Sequence, residues 1–299
     1  MLESDDKYRG VGGIKLIDIR NTNKKISFTY SHSKTITDKR NFNFHLHNFY
    51  EIYLFLEGGV NYFIEKNVYP LSKGDLLLIN NHEIHRPSLY DRTVYERIVI
   101  HFDPSIVADL CTRDFDLLEC FKDHVAGQNN RITLDSYSFE KILSLLQEIG
   151  RYYNMKEAES PLLVISAFIR LLVLINKLYK EPSPSRSNPK PPDNLIPVLD
   201  YIDRFPDEDL SLANLEERFH INRYHLARLF KKHTGSKLHQ YIIYKRISRA
   251  KQLIIDGYNV TETSVMSGFN DYSNFFRMFK KTVGITPGEF KKSTSKTDK

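Results

Sequence analysis

Between residues 14 and about 102, apolar residues occur in short runs rather than at helical spacing. Four runs rich in leucine, β-branched or aromatic residues lie at 52–56, 60–64, 75–79 and 95–102. Turn-forming residues separate them, at 58–59, 72–74 and 80–81. Many short strands at close spacing, with no helical pattern between them, predict a sandwich or a small barrel.

The period changes after about Pro104. Ile142, Leu145, Leu146 and Ile149 form one helical stripe, and residues 162–178 are apolar nearly all round. A helix without a polar face must be covered on several sides. This pattern predicts either a subunit interface or packing against the chain's own barrel. The most hydrophobic stretch, 162–175, is too short to span a bilayer, so no membrane partner is expected.

Residues 181–193 contain five prolines and three serines and, proline aside, no apolar residue. This composition predicts a semi-rigid linker between a domain at 14–180 and a domain at 194–292. Helical patterns follow at 195–205, 212–219, 223–234, 237–254, 260–267, 272–283 and 287–292. The predicted fold class is therefore multidomain α and β: a β-barrel with a helical hairpin, then an all-α domain.

One pattern in the second domain is written twice, at 222–235 and 271–284, with a constant offset of 49. Under this offset Arg228 matches Arg277, and Gly235 matches Gly284. Each copy begins with a helix N-cap residue and ends at glycine. Each copy follows a short leading helix and a tight turn, which predicts two helix-turn-helix units.

Apolar spacing separates two faces on these second helices. Leu226, Leu229 and Phe230 should face inward, as should Phe275, Met278 and Phe279. The remaining polar positions are candidate DNA contacts: Arg223, Tyr224, Arg228, Tyr272, Ser273, Asn274 and Arg277 for bases or phosphates, and Lys231, Lys232, Lys280 and Lys281 for phosphates. The helix at 237–254 would separate the units by roughly 27 Å, near the ~34 Å between successive major-groove faces.

Charge follows the repeat. The 299-residue chain has a net charge of +6, but the part from residue 221 onward contains 16 basic and only 5 acidic residues. This asymmetry indicates a polyanion partner, double-stranded DNA, for the C-terminal domain. Two cysteines are too few for a disulfide framework. The polar N-terminus lacks a signal-peptide pattern, so a cytoplasmic protein is expected.

The C-terminal domain resembles the DNA-binding domain of the AraC/XylS family of bacterial transcription regulators, over about 195–292. The resemblance is carried by segments 226–232 and 275–281 and by Gly235, Tyr241, Arg246, Ala250, Gly268, Phe269, Gly284, Thr286 and Pro287. Glu216 and Ser264 stand where the family usually has a small residue, and Thr263 where it has an aliphatic one. These departures predict slightly poorer packing of the leading helices.

His45, His47, Glu51 and His85 form the second candidate site. Alternate positions of a strand share a face, so His45 and His47 point the same way and Glu51 can join them. The pattern over roughly 26–102 resembles the cupin signature, and AraC-type regulators often carry such a barrel as an effector-sensing domain. Three roles stay open: a pocket for a small organic ligand, a divalent metal site, or a structural cluster. His101 and His82 are further candidates for the cavity, with His82 expected on a solvated loop.

We therefore expect a DNA-binding regulator, not an enzyme, controlled by a small molecule, with a sugar as the class that the family implies. The family also implies a homodimer and, as a candidate partner, RNA polymerase, and an activator of transcription is expected. No cofactor is expected. One alternative is a metal-dependent cupin enzyme with an accessory helical domain. Another is a regulator whose barrel binds no ligand and serves only dimerisation.

Overall fold

The structure, a computed structural model, describes residues 16–17, 26–36, 42, 44–90, 94–181 and 191–294. The strands are β1 (Leu16–Ile17), β2 (Ile26–Ile36), β3 (Tyr50–Glu57), β4 (Val60–Ile64), β5 (Asn67–Pro70), β6 (Asp75–Ile79), β7 (His85–Leu89), β8 (Val94–Phe102) and β9 (Arg131–Thr133). The helices are α1 (Ser105–Ala108), α2 (Glu119–Lys122), α3 (Ser136–Asn154), α4 (Ser160–Lys180), α5 (Ile196–Arg204), α6 (Leu212–Phe219), α7 (Arg223–Thr234), α8 (Leu238–Ile255), α9 (Val260–Met266), α10 (Tyr272–Val283) and α11 (Pro287–Thr294).

The strands form two antiparallel sheets, which we call the β domain. One has the order β1-β2-β8-β3-β6-β9 and the other the order β5-β4-β7. The four predicted apolar runs lie in β3, β4, β6 and β8, as expected. Strand β9 lies beyond the predicted end of the strand region and pairs with β6. The predicted fold class is confirmed, with the β domain built as two layers.

The larger sheet is buried on both faces, and the alternation along β3 shows how. Tyr50, Ile52 and Leu54 pack in one core with the helices α3 and α4. Tyr53 and Phe55, at the intervening positions, pack in another core with side chains of the smaller sheet. Side chains of a strand alternate between faces, so one strand serves both cores. Glu51 shares the inner face with Tyr53 and therefore lies between the sheets.

Helix α4 packs against the larger sheet through a face that includes Phe168, Leu171 and Ile175, each 0% exposed. Its 21 residues are long and apolar enough, by length and composition, to cross a membrane. The stretch 162–175, which was predicted to be too short to span a bilayer, is only part of this helix. Burial of one face against the sheet accounts for its apolar composition, since a core helix of a soluble protein can be as long and as apolar as a membrane-spanning helix. Leu162, in contrast, is 69% exposed.

The predicted C-terminal helices are all present, with bounds within two residues of those expected. Asn222 and Asp271 cap α7 and α10 by accepting hydrogen bonds from backbone N–H groups of the first turn. Gly235 (φ +71°) and Gly284 (φ +87°) end these helices in the left-handed conformation that glycine adopts without strain. Of the predicted linker, residues 182–190 lie outside the described residues, and the domain boundaries there stay predictions.

The C-terminal helices pack against the β domain. Phe63 and Val68 of the smaller sheet, with Ile84 just before β7, share a hydrophobic core with Phe230 and Tyr241. The outer face of the smaller sheet is therefore covered by the C-terminal domain.

Candidate DNA-binding surface and effector site

The helices α7 and α10 bury equivalent faces and expose equivalent ones. Leu226 and Phe230 of α7 and Phe275 and Phe279 of α10 are each 0% exposed, as predicted. Leu229 and Met278 are partly buried. The exposed predicted residues are Arg223, Tyr224, Arg228, Lys231, Lys232, Tyr272, Ser273, Arg277, Lys280 and Lys281. Asn274 is half-buried. The structure thus places the polar residues of both copies where a groove could receive them.

The two arginines at matching positions are held in the same way. In α10 the Arg277 guanidinium donates to Asn274 Oδ1 over 3.1 Å. In α7 the Arg228 guanidinium lies 3.4 Å from His225 Nδ1. Under the offset of 49, His225 matches Asn274. The repeat therefore indicated His225 as a candidate as well, and the prediction omitted it. Both pairs orient a guanidinium along the exposed face of the helix.

Glu216 has a different role from the one its sequence position suggested. Its carboxylate pairs with Arg223 Nε and accepts from the Arg223 backbone N–H at 3.1 Å and from Asn222 Nδ2 at 3.3 Å. These hydrogen bonds hold the pKa of Glu216 below its usual value. The residue therefore supports the N-terminus of α7 instead of disturbing the packing of α6. It also holds Arg223, a candidate DNA contact, inside the protein's own ion pair.

Thr263 and Ser264 of α9 are buried, at 0% and 2% exposure. Within the described part of the chain, Thr263 Oγ1 is buried without a hydrogen-bond partner. A buried unpaired hydroxyl costs about 1–3 kcal/mol. The poorer packing expected of the leading helices therefore has a physical basis at Thr263.

In the β domain, three histidines and a tyrosine converge on one carboxylate. The Nε2 atoms of His47, His85 and His101 lie 3.1, 3.2 and 3.0 Å from Glu51 Oε2. Tyr62 donates its hydroxyl to Glu51 Oε1 over 3.0 Å. The His45 ring lies 4.1 Å from that of His85, centroid to centroid, and the two backbones form a β-bridge. We call Glu51, Tyr62 and these four histidines the Glu51 cluster.

Pairing between strands builds this cluster. Glu51 of β3 lies opposite His101 of β8 in the antiparallel register. Tyr62 comes from β4 in the other sheet, and His85 begins β7. The sequence predicted His45, His47, Glu51 and His85 together, and the structure brings them together. His101 was named only as a further candidate, and Tyr62 was missed. His82 is half-buried on the loop before β7.

Backbone hydrogen bonds fix the tautomers of two of these rings. His47 Nδ1 lies 2.8 Å from the Phe49 carbonyl oxygen, and His85 Nδ1 lies 2.8 Å from the Glu83 carbonyl oxygen. A carbonyl only accepts, so each Nδ1 carries the proton. In a neutral ring the Nε2 lone pair then faces the Glu51 carboxylate. Two electron-pair donors repel, so the cluster requires a proton, a cation or a hydrogen-bond donor between them.

Burial and charge shift the pKa values of His85, His47 and Glu51 in different directions. Burial by itself lowers the pKa of His85, but the Glu51 carboxylate outweighs it and the pKa is raised. Burial lowers the pKa of His47 to about 4, so this ring is neutral at pH 7. Burial would raise the pKa of Glu51, yet His85 and His101 lower it well below its usual value. An ion pair of His85 with Glu51 leaves the Nε2 lone pair of His47 facing the carboxylate.

The donor atoms also fit a divalent cation. Two overlapping groups, His45–Glu51–His85 and His47–Glu51–His101, each place their ligand atoms within 4.8 Å of one another. Imidazole and carboxylate suit zinc, iron or manganese. Carbonyl groups that hold the distal Nδ1–H, as Phe49 and Glu83 do, are the usual outer partners of metal-binding histidines. The unpaired His47 lone pair would be satisfied equally by a ligand hydroxyl or amine.

Two protein-family models match this chain, one in each domain. A family model described as an AraC-like ligand binding domain matches residues 33–165. A second, described as a helix-turn-helix domain, matches residues 215–293. The chain belongs to the AraC family of transcription regulators. The first model covers the Glu51 cluster of this AraC-family protein, and the second covers α7 and α10, which we call the recognition helices.

Curated relatives of this AraC-family chain are regulators rather than enzymes. An uncharacterised HTH-type transcriptional regulator of Bacillus subtilis, YbfI, is 26% identical over 77% of this chain and 80% of its own length. One of Staphylococcus aureus (strain COL) is 24% identical over 79% of this chain, which spans 30% of that relative's length. The expectation of a DNA-binding regulator agrees with both.

Two solved structures are also similar to this chain. A Listeria innocua protein of unknown function is 35% identical, with a TM-score of 0.32, and the match covers 33% of this chain and 95% of that one. ToxT from Vibrio cholerae is 17% identical, with a TM-score of 0.36, over 90% of this chain and 98% of its own.

Proposed function

We propose that this AraC-family regulator reads DNA with α7 and α10, and that Arg228 and Arg277 make equivalent base contacts in two successive major grooves. The observation that supports this most is the matched exposed face of the two helices, each with an arginine held three residues after a polar partner. Arginine binds guanine bidentately, and the following lysine pairs lie where phosphates would be contacted. The β domain leaves both arginines exposed.

The test begins with genomic fragments selected by the purified full-length protein. On the selected site, Arg228→Ala and Arg277→Ala should each lose about 1–3 kcal/mol, roughly 5- to 150-fold in Kd, and relax one base position. Lys280→Ala should weaken all sequences alike and reduce the salt slope by about 0.9. Lys156→Ala, which replaces an exposed lysine near the start of the α3–α4 loop, is the control and should change neither the affinity nor the salt slope. Equal binding of wild type and both arginine variants to every DNA would refute the assignment.

We further propose that the Glu51 cluster binds a small polar effector, with a sugar as the class that the family favours. A ligand hydroxyl can donate to His47 Nε2 or to Glu51 and so satisfy the lone pair that faces the carboxylate. Were a divalent ion present, the histidines and Glu51 would hold it, and it would polarise a ligand oxygen. Thermal shift against sugars and amino acids, with elemental analysis of the purified protein, separates the cases. No shift with any ligand, and no bound metal, would favour a β domain that only dimerises.

Two partners are also proposed. A homodimer is supported by α4, on which Leu162 is exposed and Ile165, Ile169 and Val173 are only partly buried along one face. RNA polymerase is supported by the family alone. Sedimentation of the full chain with and without DNA tests the first of these.

A further inference from the structure

The connecting helix α8 presents one face to the β domain. Tyr241, Tyr244, Lys245, Ser248 and Lys251 recur at helical spacing and so share a side of the helix. The Phe44 ring packs 5.9 Å from that of Tyr241 and 6.0 Å from that of Tyr244. Ser248 Oγ donates to the His82 carbonyl oxygen over 3.4 Å. Helix α8, which sets the spacing of the two recognition helices, is thus held along its length by the β domain.

The first lysine of this face joins three elements. Lys245 Nζ lies 2.6 Å from Glu65 Oε2 in the turn after β4 and 3.0 Å from Asp203 Oδ1 in α5. Glu65 is 3% exposed and adopts φ +56°, which a non-glycine residue takes only where its surroundings hold it. Its second oxygen accepts from the Ile84 N–H at 2.9 Å. Separating the domains would break the ion pair of Lys245 with Glu65.

The second lysine reaches the Glu51 cluster itself. Lys251 is 1% exposed, and its Nζ donates to the Asn81 carbonyl oxygen at 2.7 Å and to the His47 carbonyl oxygen at 3.3 Å. Among the described residues it has no carboxylate partner. Burial accordingly lowers its pKa to about 7. The placement of this ammonium depends on two backbone carbonyls, and one of them belongs to a residue whose ring is 3.1 Å from Glu51.

A change at the cluster has a short route to α8. The His47 ring donates from Nδ1 to the Phe49 carbonyl oxygen, and its Nε2 lies 3.1 Å from Glu51 Oε2. A ligand that inserts between His47 Nε2 and Glu51 must widen their 3.1 Å separation. When the 45–49 segment shifts to admit it, the His47 carbonyl that binds Lys251 is displaced. The recognition arginines stay exposed, so the β domain does not act by covering them.

We propose that Lys251 is the positioning residue that couples the Glu51 cluster to DNA binding, by holding α8 against the His47 and Asn81 carbonyls. The proposal rests on the proposed function of both sites. A coupling between distinct sites requires two states that each site biases. Here the states differ in how α8, and with it the placement of the two helix-turn-helix units, is held by the β domain.

Docking is tested first by acetylating lysines of the intact protein and measuring each site by mass spectrometry. Lys251 should react at least about tenfold more slowly than the exposed Lys231 of α7, because a buried amine is inaccessible to the reagent. Equal rates at the two lysines would mean that α8 is undocked in solution, and the proposal would fail.

Coupling is tested by a double-mutant cycle with Kd for the selected DNA as the readout. Glu51→Gln should change Kd at least about fivefold in the wild-type background and less than about twofold in Lys251→Met. Arg249→Met removes an exposed cation from the same helix and should preserve the full effect of Glu51→Gln. His101→Asn replaces Glu51→Gln if that variant does not fold by circular dichroism. An equal fold-change in both backgrounds, or none in either, overturns the coupling while wild-type DNA binding leaves the proposed function intact.

Discussion

The ion pair between Glu216 and Arg223 makes a counterintuitive prediction: removal of an acidic residue outside the recognition helices should strengthen DNA binding. Arg223 begins α7, where its side chain could reach a phosphate, but its guanidinium is bound to Glu216. The two side chains keep 46% and 27% of their surface exposed, so the pair is accessible to DNA. Glu216→Ala releases one cation and removes one negative charge from the surface that faces the duplex.

The magnitude follows from counterion release. One additional phosphate contact steepens the dependence of log K on log salt by about 0.9. Between 50 and 200 mM salt the affinity of the variant should therefore fall roughly 3.5-fold more than that of the wild type. At the lower salt concentration the variant should bind more tightly by a similar factor. Fluorescence anisotropy with the selected operator, across this range, measures both quantities.

The control is Glu217→Ala, which removes the same charge from the same helix at an exposed position. Any gain that comes from net charge alone will appear in both variants, whereas the steeper slope should appear only in Glu216→Ala. The reasoning is wrong if Glu216→Ala binds no more tightly than Glu217→Ala with an unchanged slope. A loss of helix content in Glu216→Ala would be visible by circular dichroism, because the residue also supports the start of α7.

Three further predictions concern stability and assembly. Thr263→Val should raise stability by about 1 kcal/mol, because it removes a buried unpaired hydroxyl; an unchanged or lower Tm would contradict this. Burial would raise the pKa of Glu83, but hydrogen bonds from His124, Gly127 and Asn80 lower it. Its ionised carboxylate therefore stabilises the fold above the ordinary glutamate pKa, and this stabilisation is lost as the pH falls. The loss of unfolding free energy caused by Glu83→Gln should accordingly become smaller below about pH 4. A loss that does not change with pH in urea unfolding would count against this prediction. Leu162→Glu, at an exposed position of α4, should increase the monomer fraction in sedimentation relative to Leu110→Glu, an exposed apolar control; identical distributions would exclude α4 from the interface.

The sequence by itself determined the helical domain almost completely. Caps such as Asn222 and Asp271, terminating glycines and apolar spacing are interactions within a few residues of one another, so a local pattern is sufficient to place α7, α8 and α10. The alternation of side chains in extended backbone likewise predicted that Glu51 could join His45 and His47 on one face. The strands were predicted where their apolar runs were strong, and β9 was missed because it has only three residues.

The tertiary structure decided what these elements do together. Pairing of β3 with β8 put His101 opposite Glu51, 50 residues away in sequence, and no local pattern specifies that register. Glu216 looked like a packing defect until its partner Arg223 was in place. Lys245 and Lys251 have the sequence signature of solvated helix residues, yet a carboxylate and two carbonyls of the β domain bind them. Long-range contacts of this kind depend on the whole fold, because each polar group is satisfied by a partner that only the assembled chain supplies.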